Sequence, residues 1–198
     1  MGEKAEYKSA IRSRKMIRHA FVELLMEKDC EKITVKNIVE RADISRGTFY
    51  AHYSDIYAMI AEIENEVLGK MLEFLDEFKG VELILNPHPF LLKMAHFFEQ
   101  DIEFYRMLII STKGAPDFVM KMKAVLLENL IEKILDHKEA IHSTQEQKEF
   151  ILRVNFFVGG LFSLYQEWFA GKIECSLEEL TTTVSSIMMQ GFQSFTLK

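Results

Sequence analysis

The sequence is poor in residues that break helices or cross-link chains. Its 198 residues include three prolines, none before Pro87, so nothing obstructs long helices over the first part of the chain. The two cysteines, Cys30 and Cys175, are too few for a disulfide framework or a four-ligand zinc site. Reduced thiols are then the expectation, which favours a cytoplasmic protein.

Neither a secretory signal nor a membrane span is expected. The N-terminal segment MGEKAEYKSAIRSRK contains no apolar stretch of the kind that a signal peptide needs. The longest uncharged stretch, residues 180–197, is half Ser, Thr and Gln, and this composition is too polar for a membrane span. We therefore expect a protein that makes no membrane contact.

The sequence also lacks the local motifs of catalysis and metal binding. It contains no G-x-S-x-G, no glycine-rich phosphate loop and no cysteine–histidine signature. His137 and His142 lie near Asp136 and Glu139, but their spacing is not that of a convincing metal site. We predict that the protein is not an enzyme and uses no metal or cofactor.

Charge is unevenly distributed along the chain. The formal net charge is −6, yet residues 1–54 carry eleven Lys and Arg against eight Asp and Glu. Residues 55–198 carry thirteen basic residues against twenty-two acidic ones. A modestly basic N-terminal segment on an acidic remainder indicates that this segment meets a polyanion.

Hydrophobic residues recur with a helical period along nearly the whole chain. One face of the first helix collects the residues Ile17, Ala20, Phe21, Leu24 and Leu25. Further helices are predicted at about 90–99, 101–112, 116–138, 144–170 and 177–195. No segment alternates convincingly with period two, so the predicted fold is all-α.

A long helix is predicted to begin at Ser54 or Asp55 and to end before Gly80, which is a plausible helix stop. No linker precedes it, so this helix would carry motion directly between the segments on either side. The sequences Ser143–Glu146 and Ser176–Glu179 read as capping boxes, which predicts helix starts at both places.

Two short helices joined by a turn are predicted after the first helix. Thr34 and Ser45 can cap them through their hydroxyl groups. Ala42 is small enough for a close helix crossing, and Asp43 tolerates the left-handed conformation of a turn. The hydrophobic residues expected beneath them are Ile38, Val39, Ile44 and Phe49. This arrangement predicts a helix-turn-helix.

The stretch from Ile33 to Asp55, ITVKNIVERADISRGTFYAHYSD, strongly resembles the DNA-binding domain of TetR-family transcriptional regulators. The pattern T-V-x-x-I-x-x-x-A-x-I-S-R-G-T-F-Y-x-H is highly specific to that family, and the resemblance covers about residues 9–60. It implies a three-helix head, residues 1–54, joined by a long helix to a helical ligand-binding and dimerisation domain, residues 55–198. The run Phe156–Trp168 is similar to a subgroup that includes regulators of dihydroxyacetone metabolism.

The resemblance and the chemistry of the residues indicate one DNA-binding surface. Helix N-termini attract phosphate, and Thr34 and Ser45 begin two helices. Arg46 is the best candidate to read a base, because a guanidinium can bind guanine O6 and N7 together. Arg12 and Lys15 could reach the DNA backbone or minor groove. The predicted DNA-binding residues are Thr34, Lys36, Ser45, Arg46, Gly47, Thr48, Tyr50 and His52.

Two positions depart from the family pattern. Asp43 stands where the family usually has glycine in the turn, which Asp tolerates. Ile56 stands where the family usually has a lysine at the start of the fourth helix. One expected phosphate contact is therefore missing, or is replaced by Lys36 or Arg41.

The C-terminal domain is rich in aromatic residues and methionine, which fill either a core or a ligand pocket between helices. An apolar or aromatic effector would suit such a pocket. The predicted lining residues are Phe74, Phe78, Phe97, Phe104, Met107, Phe118, Met122, Phe157 and Trp168.

The last two helices are predicted to form a homodimer interface. Residues 154–166 carry no charge and are apolar on most of the helix circumference, so this helix needs two packing partners. Gly159 and Gly160 would allow a close helix approach. The final helix shows Thr and Ser opposite its apolar face, and this depletion of charge fits an interface.

These observations predict a homodimeric, ligand-responsive transcriptional regulator, with repression the commoner outcome in the resembling family. Two heads would enter successive major grooves of a pseudo-palindromic operator in double-stranded DNA. Two alternatives stay open. One is an interaction protein or co-activator that needs a protein partner or co-ligand to act on DNA. The other is a ligand-sequestering or enzymatic protein with a vestigial head, against which the intact Ser45–His52 run argues.

Overall fold

The computed structural model describes residues 2–111, 116–135 and 144–196. Over these ranges the chain is helical and contains no strand, which confirms the predicted all-α fold. A 3₁₀ turn occupies Cys30–Lys32. The α-helices are α1 (Gly2–Glu27), α2 (Val35–Ala42), α3 (Arg46–Tyr50), α4 (Ile56–Asp76), α5 (Gly80–Leu85), α6 (His88–Glu99), α7 (Ile102–Ile110), α8 (Pro116–Leu135), α9 (Thr144–Phe169) and α10 (Leu177–Thr196).

The chain divides into two compact units, and neither is continuous in sequence. The first unit comprises Met1–Glu66 and Glu103–Pro116. The second comprises Val67–Ile102 and Asp117–Lys198. Helix α4 therefore contributes residues to both units. The predicted functional division at residues 54 and 55 stays a prediction.

The core of the first unit forms where α1, α2 and α3 pack together. Ile17, Ile38 and Phe49 are fully buried, and the remaining apolar face of α1 is buried with them. Burying such a side chain stabilises the fold by about 1.5–3 kcal/mol each. The hydrophobic pattern of α1 thus orients the two short helices that follow it.

Helix α7 completes the first unit. Its Phe104 is buried, and the Arg18 guanidinium lies 4.9 Å from the centre of the Phe104 ring. Arg18 also pairs with Glu66 of α4 through an Nη1–Oε2 distance of 2.6 Å. The Ser111 hydroxyl, just after α7, donates a hydrogen bond to the Leu25 carbonyl oxygen at 3.2 Å. Residues distant in sequence therefore stabilise α1.

In the second unit, α10 packs against α5, α6 and α9. Its inward face buries Leu177, Leu180 and Val184 together with the polar residues Thr181 and Ser185. Both hydroxyls donate to carbonyl oxygens one turn earlier, at 2.7 Å and 2.6 Å. This bonding satisfies polar groups that would otherwise be costly to bury.

A close contact joins α9 and α10. Gly191 lies under the Phe157 ring, and a Cβ at position 191 would come 1.9 Å from Phe157 Cζ. The Phe157 ring also packs against Phe192, with ring centres 4.9 Å apart. The Arg153 Nη1 donates to the Gly191 carbonyl oxygen at 2.8 Å. Glycine at position 191 thus permits this approach of the two helices.

Gly80 does not serve as the helix stop that the sequence predicts. Helix α4 ends at Asp76, and Gly80 is the first residue of α5. The Lys79 N–H donates to the Glu82 carboxylate at 3.1 Å, and Leu83 is buried. Tertiary burial and this reach-back hydrogen bond start a new helix where local propensity alone indicates a break.

Other helix boundaries agree with local sequence signals. Ser176 and Glu179 form the predicted capping box at the start of α10. Gly171 has a positive φ of 74°, as a residue that ends a helix commonly does. The second predicted box, Ser143–Glu146, and the histidines His137 and His142 involve residues outside the described ranges.

None of the helices in the described ranges is both long and apolar enough to cross a membrane.

Candidate DNA-binding interface

The turn between α2 and α3 depends on one residue in the left-handed conformation. Asp43 has φ 52° and ψ 51°. The next N–H, that of Ile44, reaches back to the Val39 carbonyl oxygen at 3.1 Å, which closes the end of α2. Beneath the turn, Ala42 is buried. The chain can therefore reverse tightly enough to present α3, and the predicted helix-turn-helix is confirmed.

Side-chain caps set the starts of both short helices, as the sequence predicts. The Thr34 Oγ1 accepts from the Asn37 N–H at 3.2 Å, and the Thr34 N–H donates to the Asn37 Oδ1 at 3.1 Å. The Ser45 Oγ accepts from the Thr48 N–H at 3.0 Å. Other N–H groups of each first turn stay available for an anion such as phosphate.

The first residues of α3 are exposed above a buried anchor. Arg46, Gly47 and Tyr50 are exposed, whereas Phe49 between them is fully buried. The Thr48 hydroxyl lies 2.9 Å from Ser45 Oγ and is only partly exposed. The anchor fixes which face of this short helix points away from the protein.

The two basic residues of α2 differ in how they are held. The Arg41 guanidinium pairs with Glu23 at 3.3 Å and with Glu27 at 2.7 Å, both on α1. Lys36 lies 3.8 Å from Glu40 and is well exposed. Arg41 thus joins α2 to α1. Of the two residues, Lys36 is the more available to replace the phosphate contact that a lysine at position 56 would make.

His52 and Tyr53 follow α3 and make hydrogen bonds within the first unit. The His52 Nε2 lies 2.7 Å from the Ser13 Oγ, and burial lowers the pKa of the His52 imidazole below its ordinary value. The Tyr53 hydroxyl donates to the Glu62 carboxylate at 2.8 Å, and burial raises the pKa of the Tyr53 phenol. Sequence reasoning did not single out Ser13 or Glu62, because each bond joins residues on different helices or loops, 39 and 9 positions apart.

The predicted ligand-pocket residues are divided between the two units. Phe104 and Met107 belong to the first unit and the other seven to the second. Phe97, Phe118 and Met122 are buried. A cavity of about 20 Å³, large enough for about one water molecule, is lined by Leu83, Ile84, Leu130, Val154, Phe157, Val158, Met188 and Phe192. Of the predicted set, Phe157 lines this cavity.

The fold and the exposed α3 define a helix-turn-helix DNA-binding protein. Residues 17–63 match the family profile of bacterial regulatory proteins of the tetR family, and residues 85–190 match the profile of a transcriptional regulator C-terminal region. The chain belongs to the TetR family of transcriptional regulators. The resemblance seen in its sequence is therefore confirmed.

Individual proteins are similar to the chain over most of its length. The chain is 24% identical over 151 residues to the dhaKLM operon transcriptional activator DhaS of Lactococcus lactis, covering 75% of each protein. It is similar to the solved structure of a dihydroxyacetone kinase operon activator DhaS, with a TM-score of 0.57, 19% identity and coverage of 93% and 98%. It is also similar to the solved structure of the fatty acid degradation regulator FadR of Bacillus halodurans, with a TM-score of 0.62 and 16% identity. That match covers 91% of this chain and 96% of the FadR chain.

Proposed function

We propose that the protein is a homodimeric, ligand-responsive regulator that binds a pseudo-palindromic operator through its helix-turn-helix. The observation that carries the proposal is the exposed N-terminal turn of α3, with Arg46 and Gly47 held outward by the buried Phe49. A guanidinium in that position suits bidentate recognition of guanine in the major groove. Thr34, Ser45, Lys36, Tyr50 and His52 would hold the phosphate backbone.

The dimer is proposed to form through α9 and α10. Leu152 and Phe156, one turn apart on α9, are 70% and 76% exposed, and Ile187 on α10 is 49% exposed. One turn further along α9, a Cβ on Gly160 would meet nothing within 4 Å. Large apolar groups exposed beside open space favour an apolar partner, and a second copy would satisfy the two-fold symmetry of a pseudo-palindromic site.

A small apolar or aromatic molecule is proposed as the effector. The aromatic residues of the second unit supply the apolar lining that such a ligand needs. Binding would shift the equilibrium between head separations that fit the operator and those that do not. The coupling is tested by adding decanoate or 2-naphthol to the protein–operator complex and measuring release of DNA.

A second candidate function is activation that depends on a partner or co-ligand. Two observations favour it. Ile56 removes a lysine that the family usually uses, which lowers the expected affinity for DNA. The Lactococcus lactis relative is named an activator, whereas the prediction of a repressor rests on the commoner family outcome.

The first experiment titrates the purified protein into a labelled DNA fragment from upstream of its own gene, at two salt concentrations. A random fragment of equal length is the control, because phosphate contacts alone bind any sequence. Specific, salt-dependent binding is expected, and a reporter gene behind the same fragment then gives the sign of regulation.

Binding to this fragment no tighter than to random DNA would contradict intrinsic operator binding. The partner-dependent function would then be favoured, and Ile56→Lys is the variant that would restore affinity if the missing lysine is responsible.

A further inference from the structure

Ser13 on α1 and His52, just after α3, form a hydrogen bond that the proposed function does not account for. The Ser13 Oγ lies 2.7 Å from His52 Nε2. The same oxygen lies 3.0 Å from the Ser9 carbonyl oxygen and 3.1 Å from that of Ala10. A serine hydroxyl has one proton, and donating it to either carbonyl leaves its oxygen as an acceptor. When the hydroxyl donates to one of these carbonyls, the His52 Nε2 must be the donor to Ser13 and must carry the proton of the neutral ring.

We propose that Ser13 is a positioning residue for DNA binding, which keeps His52 protonated at Nε2 and leaves Nδ1 to meet a DNA phosphate. The proposal rests on the proposed function, because it assigns the chemistry of one of its phosphate contacts. A neutral imidazole has a single N–H. With that proton on Nε2, Nδ1 can donate to a phosphate oxygen only after the ring takes up a second proton.

DNA binding is therefore coupled to proton uptake, with up to about one proton for each head. The contact formed is a charge-assisted hydrogen bond between an imidazolium and a phosphate, which is stronger than a neutral one. The ring acts as a phosphate ligand whose affinity rises with acidity. Ser13 sets this behaviour, because it decides which nitrogen holds the proton of the neutral form.

The charged groups around His52 determine its protonation in the free protein. Arg14 on α1 and Glu62 on α4 face it, and they lie 3.8 Å from each other. Burial lowers the pKa of His52, Arg14 lowers it further, and Glu62 raises it. The ring of Tyr53 lies beside that of His52, and its hydroxyl is bonded to Glu62.

The sign of the pH effect follows from these neighbours. Near neutral pH the free protein holds a neutral ring, because the pKa of His52 is below its ordinary value. A phosphate next to Nδ1 favours the charged ring and raises the pKa in the complex. Affinity for DNA is therefore highest at pH values below the pKa of His52 in the free protein. It falls as pH rises from there toward the higher pKa of His52 in the complex.

The test measures the dissociation constant for a short duplex selected by the wild-type protein from a random pool, between pH 5.5 and 8.5 at constant ionic strength. We expect wild-type affinity to fall with rising pH by up to about tenfold per unit for each head. Ser13→Ala should bind more tightly than the wild type at pH 8.5 and show less than half the pH dependence, because its neutral ring can carry the proton on Nδ1 and donate it to phosphate without taking up a second one. Ser13→Thr, which keeps the hydroxyl, should restore both properties.

Three variants separate positioning from a structural effect. Ser9→Ala removes a hydroxyl one turn away on the same helix and should match the wild type. His52→Asn puts an amide nitrogen near the position of Nδ1, so it should bind DNA without pH dependence. His52→Gln resembles the Nε2 side of the ring, so it should keep the Ser13 contact and bind about tenfold more weakly at pH 6.

The outcomes distinguish this inference from the proposed function. If the wild type selects no duplex at any pH, both the proposed function and the inference are wrong. If it binds specifically but Ser13→Ala has an unchanged pH profile, the inference alone is wrong. A ¹⁵N spectrum of the free protein at pH 8 that places the His52 proton on Nδ1 would also overturn it, and a proton on Nε2 would support it.

Discussion

Arg41 and Arg46 lie five residues apart but differ in their surroundings. Among the described residues, the structure records ion pairs for Arg41 and none for Arg46. The carboxylates of Glu23 and Glu27 orient Arg41. Arg46 is exposed at the start of α3. The N–H donors of an arginine paired with two carboxylates are largely occupied, so few are free for a phosphate or a base. An exposed arginine can exchange its water molecules for the edge of a guanine. The same residue type therefore has a different expected role at each position.

Replacing Arg46 by alanine should weaken operator binding by about 1–3 kcal/mol and relax specificity at one base pair of each half-site. The loss of a bidentate contact to guanine is the reason. The measurement is binding to a set of single-substitution operators.

Lys36→Ala is the matched control for that experiment. It should weaken all sequences alike and reduce the salt dependence by about one phosphate contact. If both variants bind every operator as the wild type does, the reading surface has been assigned to the wrong residues.

The backbone of Asp43 supports a second prediction at this scale. Left-handed geometry is strained for most L-residues, by about 1–2 kcal/mol, and most of all for β-branched ones. Asp43→Val should therefore lower the free energy of unfolding by about that amount, measured by urea denaturation. Asp43→Gly, which accepts φ 52° without strain, should fold at least as stably as Asp43→Val, and equal stability of the valine variant and the wild type would contradict the argument.

At the scale of helices, local signals were sufficient where a helix start depends on its own cap. Thr34, Ser45 and the pair Ser176 and Glu179 lie at helix starts in the structure, as predicted. A cap is a contact between residues three apart, so the sequence contains all of it. The break between α5 and α6 is local as well, because Pro87 and Pro89 lie at the start of α6.

Local signals failed where tertiary contacts decide. Gly80 has the character of a helix stop, but burial of Leu83 makes it a helix start. The bond between Ser13 and His52 joins residues 39 positions apart, and no periodicity predicts such a pair. The residues of the candidate DNA interface could be named from the sequence, whereas their hydrogen-bond partners required the three-dimensional packing.

The close contact between α9 and α10 leaves no room for a methyl group at position 191. Gly191→Ala should destabilise the protein by about 1–3 kcal/mol, since its Cβ would overlap the Phe157 ring and force it to move. Gly69→Ala in α4 is the control, because its Cβ meets nothing within 4 Å. That variant should gain up to about 1 kcal/mol from helix propensity.

Thermal or urea unfolding gives both values. In a Phe157→Leu background the cost of Gly191→Ala should shrink, which a double-mutant cycle detects. An unchanged cost in that background would show that the Phe157 ring is not the obstacle.

At the scale of the whole molecule, the exposed apolar face of α9 predicts the oligomeric state. Size exclusion with light scattering should give a dimer at micromolar concentration for the wild type and a monomer for Phe156→Glu, because a buried unpaired carboxylate opposes association. Met120→Glu is the matched control, since Met120 on α8 is 67% exposed, comparable to Phe156. It should stay a dimer, and a dimeric Phe156→Glu would place the interface elsewhere.

The discontinuity of the first unit has a consequence for protein chimeras. Helix α7 lies about fifty residues beyond α3 in the sequence, yet it supplies the buried Phe104 on which Arg18 rests. A gene fusion that joined residues 1–66 to the C-terminal region of another protein would lack that aromatic surface. A chimera that keeps only residues 1–66 is therefore expected to unfold more readily than the intact chain, and one that also carries residues 103–116 should regain part of the loss.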